Sequence, residues 1–430
     1  MANTFNTQSL VEKQLAFSWM SHKGIGDMIT WKKDAISAQK NTGATITLRR
    51  PSRIRATVTG LETAGAYDLP GTTQPLVNYS PLQDAPVPLT LAYRLEANMQ
   101  TSMEEMTYKL DREDVRNRFI DPAIVSIKDQ YNQLLAEIAN LGAGQAISIS
   151  AQGGATYAQN FLKAAGKARA LMIQRGAATD SSEKMLMANM DVGPEVGSSA
   201  ATLYKYSPGV EGLQSGGIEI PKTAGFSLFE SPLTYTDAIP VDPGTIVVAA
   251  PGGAVTNGLT TYAPTMQLNT SGWGAIPTVK KGWRLALTGI NWINPITQTT
   301  TGKQVVLVVV ADATVNAGAA TITVAEAVIY SGDFRNTTLT TAIPNATALT
   351  LLGANSTVSP SLCFTKDSIV GVSPEIDLPS GLIYGKNFRV NGFNFAMMED
   401  RWPGTMQNIT KLVAFVGLAV VKPEGVVSLY

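Results

Sequence analysis

DPAIVSIKDQYNQLLAEIANLG, residues 121–142, carries the strongest helical period in this chain of 430 residues. Ile124, Ile127, Tyr131, Leu134, Leu135, Ile138 and Leu141 recur at spacings of three and four, which lines them along one face of a helix. Asp121 can cap the first turn, Pro122 suits the first helical position because no N–H is left unpaired there, and Gly142 stops the run. Such a helix reaches roughly 30 Å at ~1.5 Å per residue. The preceding LDREDVRNRF, residues 110–119, adds a charged helical turn or two. A second helix is expected from about Tyr157 to Arg175, stopped by Gly176, with Lys163, Lys167, Arg169 and Arg175 on its polar side.

Outward from these helices the chain reads as strand. ATITLRR alternates apolar and polar residues and ends at Pro51. Residues 54–88 are turn-rich, and VPLTLAYRLEANM reads as a returning strand, so 45–98 forms an extended two-stranded excursion. KMLMAN is a strand after the second helix. From 235 to about 360 the chain turns rich in Thr, Val, Ala and Gly. There WRLALTGINWIN, KQVVLVVVADATV and ATITVAEAVIY read as strands, with Val305–Val310 buried on both faces. This block is expected to be a self-contained small β-barrel or sandwich inserted into the main domain. KLVAFVGLAVVKPEGVVSLY then reads as two strands broken at Lys422-Pro423. The fold class is α+β.

Composition limits the chemistry. With 33 basic and 33 acidic residues, 15% charged against 44% hydrophobic, the chain favours association over repulsion and implies a surface that is largely covered. Its length suits two or three domains. One cysteine, Cys363, and one histidine, His22, exclude a disulfide framework and a Cys-based metal cluster, and neither lies in a nucleophile-type context. No phosphate-binding Gly-rich loop occurs, and the Gly142–Gly144 run follows a helix rather than a strand. Carboxylates cluster at Glu104–Glu105, Asp111/Glu113/Asp114 and Glu399–Asp400. The middle set alternates with Arg112, Arg116 and Arg118, which suits a solvated or interface-paired helix face better than a paired-acid hydrolase. The first residues are polar and no apolar window approaches ~18 residues, so a soluble, intracellularly made subunit without membrane partner is expected. An enzyme, a cofactor and a metal site are not expected.

TITLRRPSRIRATV, residues 45–58, holds Arg49, Arg50, Arg53 and Arg55. Four guanidiniums invite a nucleic-acid reading, but no aromatic residue is nearby for base stacking. Strand geometry also sends Arg49 and Arg50 to opposite faces. Pairing with carboxylates, on this chain or a neighbour, is the better reading.

TGATITLRRPSRIRA resembles the start of the extended loop in major capsid proteins of tailed double-stranded DNA bacteriophages, in the branch of the short-tailed Salmonella-phage coat protein. LDREDVRNRFIDPAIVSIKDQYNQLLAEIANLGAG looks like that family's spine helix and its approach, and MLMANMDVGPEVGSSAATL resembles its axial strand-then-helix element. AGFSLFESPLTYT is similar to the motif before the inserted β-domain, and VAFVGLAVVKPEGV resembles the C-terminal strand pair. Together these cover nearly the whole chain outside 236–360.

The resemblance implies a Hong Kong 97-like fold: N-terminal arm 1–44, extended loop 45–98, peripheral domain with spine helix 99–150, axial domain from 151 to 235, inserted β-barrel domain 236–360, and a return to both domains over 361–430. It implies self-assembly into hexamers and pentamers of an icosahedral shell in the virion, built in the host bacterial cytoplasm. The implied partners are scaffolding protein, portal protein and packaged double-stranded DNA held by non-specific proximity, with decoration protein a further partner left open. Subunit contacts are then expected at Arg49, Arg50, Arg53, Arg55, Asp111, Arg112, Glu113, Asp114, Arg116, Arg118, Trp19 and Trp31. The competing reading is a β-rich decoration protein or adhesin with 236–360 as its ligand-binding part.

Overall fold

The computed structural model describes residues 28–31, 45–50, 85–102, 121–154, 156–179, 182–189, 220–223, 225–231, 236–240, 245–252, 255–332, 334–382, 384–390, 393–402 and 407–430. Its first strands are β1 (Thr30–Trp31), β2 (Thr45–Arg50), β3 (Ala85–Thr90) and β4 (Tyr93–Ser102). Helix α1 (Asp121–Leu141), β5 (Gln145–Ile147), helix α2 (Tyr157–Gln174), β6 (Lys184–Asn189), β7 (Ile220–Thr223) and β8 (Phe226–Ser231) follow. Next come β9 (Asp237–Ile239), β10 (Ile246–Val248), β11 (Met266–Ser271), β12 (Thr278–Val279), β13 (Arg284–Ile293) and β14 (Thr300–Val308). After them lie β15 (Ala313–Thr314), β16 (Ala319–Val324), β17 (Ala348–Leu352) and β18 (Ser356–Val358). The last are β19 (Ser361–Thr365), β20 (Ile369–Val372), β21 (Tyr384–Val390), β22 (Phe393–Trp402), β23 (Gln407–Val420) and β24 (Val426–Leu429). The expected charged turn at 110–119 and the helical part of the element after KMLMAN lie outside the described residues, as does most of the N-terminal 40.

The architecture is α+β, with mixed sheets and few helices among the described residues. Helix α1 begins one residue before the proline that the sequence marks and ends on Leu141, where Gly142 N–H closes back on Ile138 O at 2.9 Å. Its stripe of Ile124, Ile127, Tyr131 and Leu135 is buried against Leu95 of β4, Phe393 and Phe395 of β22, and Leu412, Ala414 and Val416 of β23. That sheet runs β1-β20-β23-β22-β21. β23 is long enough to serve two partners in succession: Gln407–Val416 pair with β4 and Gly417–Val420 with β20. A second sheet, β5-β24-β19-β6-β8-β7, supports α2 through Phe161, Ala164, Ala165, Ala168 and Met172. Thr156 caps α2 by accepting from Gln159 N–H at 3.3 Å.

The single returning strand expected over Val87–Met99 is two strands, because its halves pair with different partners. β3 pairs with β2 and β4 with β23. Pro86 and Pro88 sit at alternate positions of β3, which a two-stranded ribbon tolerates when the missing N–H groups face away from β2. The ribbon crosses β23 at Gly417, where a Cβ would lie 2.6 Å from Leu89 and 3.0 Å from the Thr90 carbonyl. Glycine is required there by close approach rather than by its dihedral angles.

Residues 236–358 hold their own core around Trp273, Trp292, Leu285, Leu287, Val305 and Leu307. The main sheet runs β14-β13-β17-β10-β11-β16. Its two outer strands meet where β16 ends and just past β14, at a Val309–Val324 bridge flanked by Val310 N–H to Thr323 O and Ala325 N–H to Val308 O, both 2.9 Å. Register shifts between Ala286 and Ile293 bend β13 as this curl needs. Of the expected run Val305–Val310, Val305–Val309 is buried and Val310 partly so, because this stretch faces the block's core on one side and the body on the other. The block is therefore not self-contained. Val308, Val310 and Ala325 join the body core, while Ala85 and Tyr430 of the body join the core of the block.

Candidate functional site

The seam between this block and the body gathers buried charge. β2 alternates exposed Thr45, Thr47 and Arg49 with buried Ile46, Leu48 and Arg50, so the two arginines face opposite ways. Arg50 ends the apolar face and is 8% exposed. Its guanidinium pairs with the Glu424 carboxylate, which the short turn Pro423–Gly425 presents, and lies 5.2 Å from the Tyr262 ring centroid.

Arg175 directly follows α2 and continues its apolar stripe, three residues past Met172, and is 3% exposed. It pairs with Glu326, donates to Gly144 O at 3.1 Å and stacks 4.0 Å over Trp292. Placing Arg175 on the polar side of the helix is thus corrected: the inserted block supplies a carboxylate and an indole face that a lone helix lacks. Burial lowers the Arg175 pKa, Glu326 opposes that, and the nearby Arg50 guanidinium lowers it further.

Gly144 is the node of this arrangement. Its N–H donates to Pro423 O and Val426 O at 3.0 and 3.1 Å. A Cβ at this position would lie 2.2 Å from Glu326 Oε2 and 2.5 Å from Pro423 O. Asn336 completes the carboxylate's surroundings, donating to Glu326 at 3.4 Å and to Ala327 O at 2.8 Å. Arg50, Tyr262, Glu326, Phe334 and Asn336 line a cavity of about 10 Å³, room for one water and no substrate.

A second cluster lies at the root of α1. Arg284 of β13 is 0% exposed and sits 3.2 Å from Asp237, with Nη2 donating to Asn140 Oδ1 at 2.8 Å. Ser428 donates to the same oxygen at 3.2 Å, and the Arg284 guanidinium lies 5.5 Å from the Tyr430 ring. Gln145 joins the two clusters, accepting from Trp292 Nε1 and Val306 N–H at 3.0 and 3.1 Å and donating to Gln304 O at 3.0 Å. At the exposed rim Lys281 reaches Glu137 of α1 at 2.5 Å, and Lys280 reaches Asp312 at 3.0 Å.

Burial pushes the Tyr430 hydroxyl up to about 12 from an ordinary 10, against the opposing pull of Arg284. Between those values the folded chain keeps a proton that the unfolded chain loses, so stability falls as pH rises from about 10 to 12. The thermal midpoint should drop across that window by the equivalent of about 1–3 kcal/mol, and Tyr430→Phe should flatten the drop in a pH series of melts.

Of the residues singled out in the sequence, Arg50 enters this seam within the chain and Arg49 is exposed on the opposite face. Trp31 packs into the body, 6.0 Å from Tyr131 and 5.5 Å from Phe393 between ring centroids. Arg53, Arg55, Trp19, Asp111, Arg112, Glu113, Asp114, Arg116, Arg118 and His22 lie outside the described residues. Cys363 is buried in β19 with its thiol pKa pushed up by desolvation. The sequence reading passed over Asp237, Arg284, Glu326 and Glu424. The available signal was placement alone: a charge at the end or in the middle of an apolar run, as in WRLALTGI. No helix among the described residues is long and apolar enough to cross a membrane.

No family model and no curated protein matches the chain. Among solved structures it is similar to one of Mycobacterium phage Che8, at 9% identity and TM-score 0.44 over 95% of this chain and 91% of that one. It is similar to the capsid structure of the Cyanophage P-SCSP1u at 11% identity and TM-score 0.45, over 95% and 88% of the two chains. A virus-like particle from Pyrococcus furiosus gives 8% identity and TM-score 0.39 over 99% of both chains.

Proposed function

We propose that this chain is a major capsid protein that assembles into an icosahedral phage head shell. The observation that carries the proposal is the order of its parts. A two-stranded root (β2–β3), a 21-residue helix laid on the β4-β23-β22 sheet, an α/β layer with α2, and a curled sheet inserted between β8 and β19 follow one another in the sequence positions of the quoted motifs. On this reading α1 is the spine helix of a Hong Kong 97-like fold and the curled sheet is its inserted β-barrel domain. Residues 45–98, the 111–118 face and the N-terminal arm would reach neighbouring copies in hexamers and pentamers. Scaffolding protein, portal and packaged DNA are the accompanying partners. A buried seam whose cavity among the described residues admits about one water suits a part that must hold shape under load.

Negative-stain microscopy of the expressed chain, with and without co-expressed scaffold, tests this. Closed or aberrant shells are expected; dispersed small particles under all conditions would sink it.

A further inference from the structure

We propose that the buried charges form a relay coupling the placement of the inserted block to the root of the excursion between β2 and β3, so that disturbing one loosens the other. The contacts run in a ring. Arg50 of β2 pairs with Glu424; Pro423 beside it accepts from Gly144; Gly144 O accepts from Arg175; Arg175 pairs with Glu326 of the block. Glu326, Tyr262 and Arg50 then share the walls of the same small cavity, and Arg50 lies over the Tyr262 ring, which closes the ring.

Two guanidiniums are balanced by two buried carboxylates, Arg50 by Glu424 and Arg175 by Glu326, and the cavity between Arg50 and Glu326 admits about one water. Neutralising either carboxylate leaves a buried cation without its counter-charge, and the cheapest relief is separation of the packed elements so that water enters. The carboxylates belong to different elements, one to the block and one to the C-terminal turn, while Arg50 ends the strand that leads into residues 51–84. Arg50 also lies near enough to Arg175 to add, after burial, to the lowering of its pKa.

Backbone hydrogen exchange of the full chain tests the relay. Glu326→Gln, a change inside the block, is expected to speed exchange of the amides of 45–50 and 85–90 at least about fivefold. Asp312→Asn, on the block's exposed rim, should leave those amides unchanged. An increase in Glu326→Gln confined to 140–176 and 326–336 would overturn the proposal. Should Glu326→Gln not fold, Arg50→Lys keeps the charge but loses the planar fork. Its exchange should then rise across 326–336, and an unchanged rate there overturns the relay equally.

Discussion

Asp237→Ala should cost about 3–5 kcal/mol of stability, read as a lowered urea midpoint. The magnitude follows from what remains. Arg284 is 0% exposed and sits 3.2 Å from Asp237, while the Asn140 oxygen and the Tyr430 ring beside it are neutral. Adding Arg284→Met to that variant should recover most of the loss, since a buried ion pair exchanged for apolar volume is often near neutral. The exposed Lys280–Asp312 pair sets the contrast: Asp312→Asn should cost under about 1 kcal/mol, because both side chains are about half in water. If Asp237→Ala behaves like Asp312→Asn, the seam is not the electrostatic closure described above.

Phe393→Ala is expected to be as severe, about 3–5 kcal/mol, through a different cause. The ring is 1% exposed and stands 5.5 Å from Trp31, 5.5 Å from Tyr131 and 4.7 Å from Phe395 between centroids. It joins β1, α1 and β22, so truncation leaves a cavity among three elements that cannot all collapse inward. The block's core, built around Trp273, Trp283 and Trp292, shares no side chain with this cluster.

The two variants probe features of unequal legibility. Helix α1, the run Val305–Val309 and the break at Pro423 follow from local rules: periodicity, a continuous apolar run, and a residue that cannot continue a strand. The split between Arg49 and Arg50 also follows, since a period of two sends neighbours to opposite faces. Arg175 illustrates the converse. Read alone, α2 has a basic polar side; in the fold its last arginine continues the buried stripe because Glu326, 151 positions later, arrives to meet it.

By itself the sequence determined the two helices, the near-neutral charge and the opposite facing of the two arginines of β2. Only the tertiary structure decided that Arg50, Arg175 and Arg284 are interior, and that the block is tied to the body rather than appended to it. The physical reason is that burial of a charge is settled by its partner, and Glu424 stands 374 positions from Arg50. No local pattern spans that distance; the fold brings the two together.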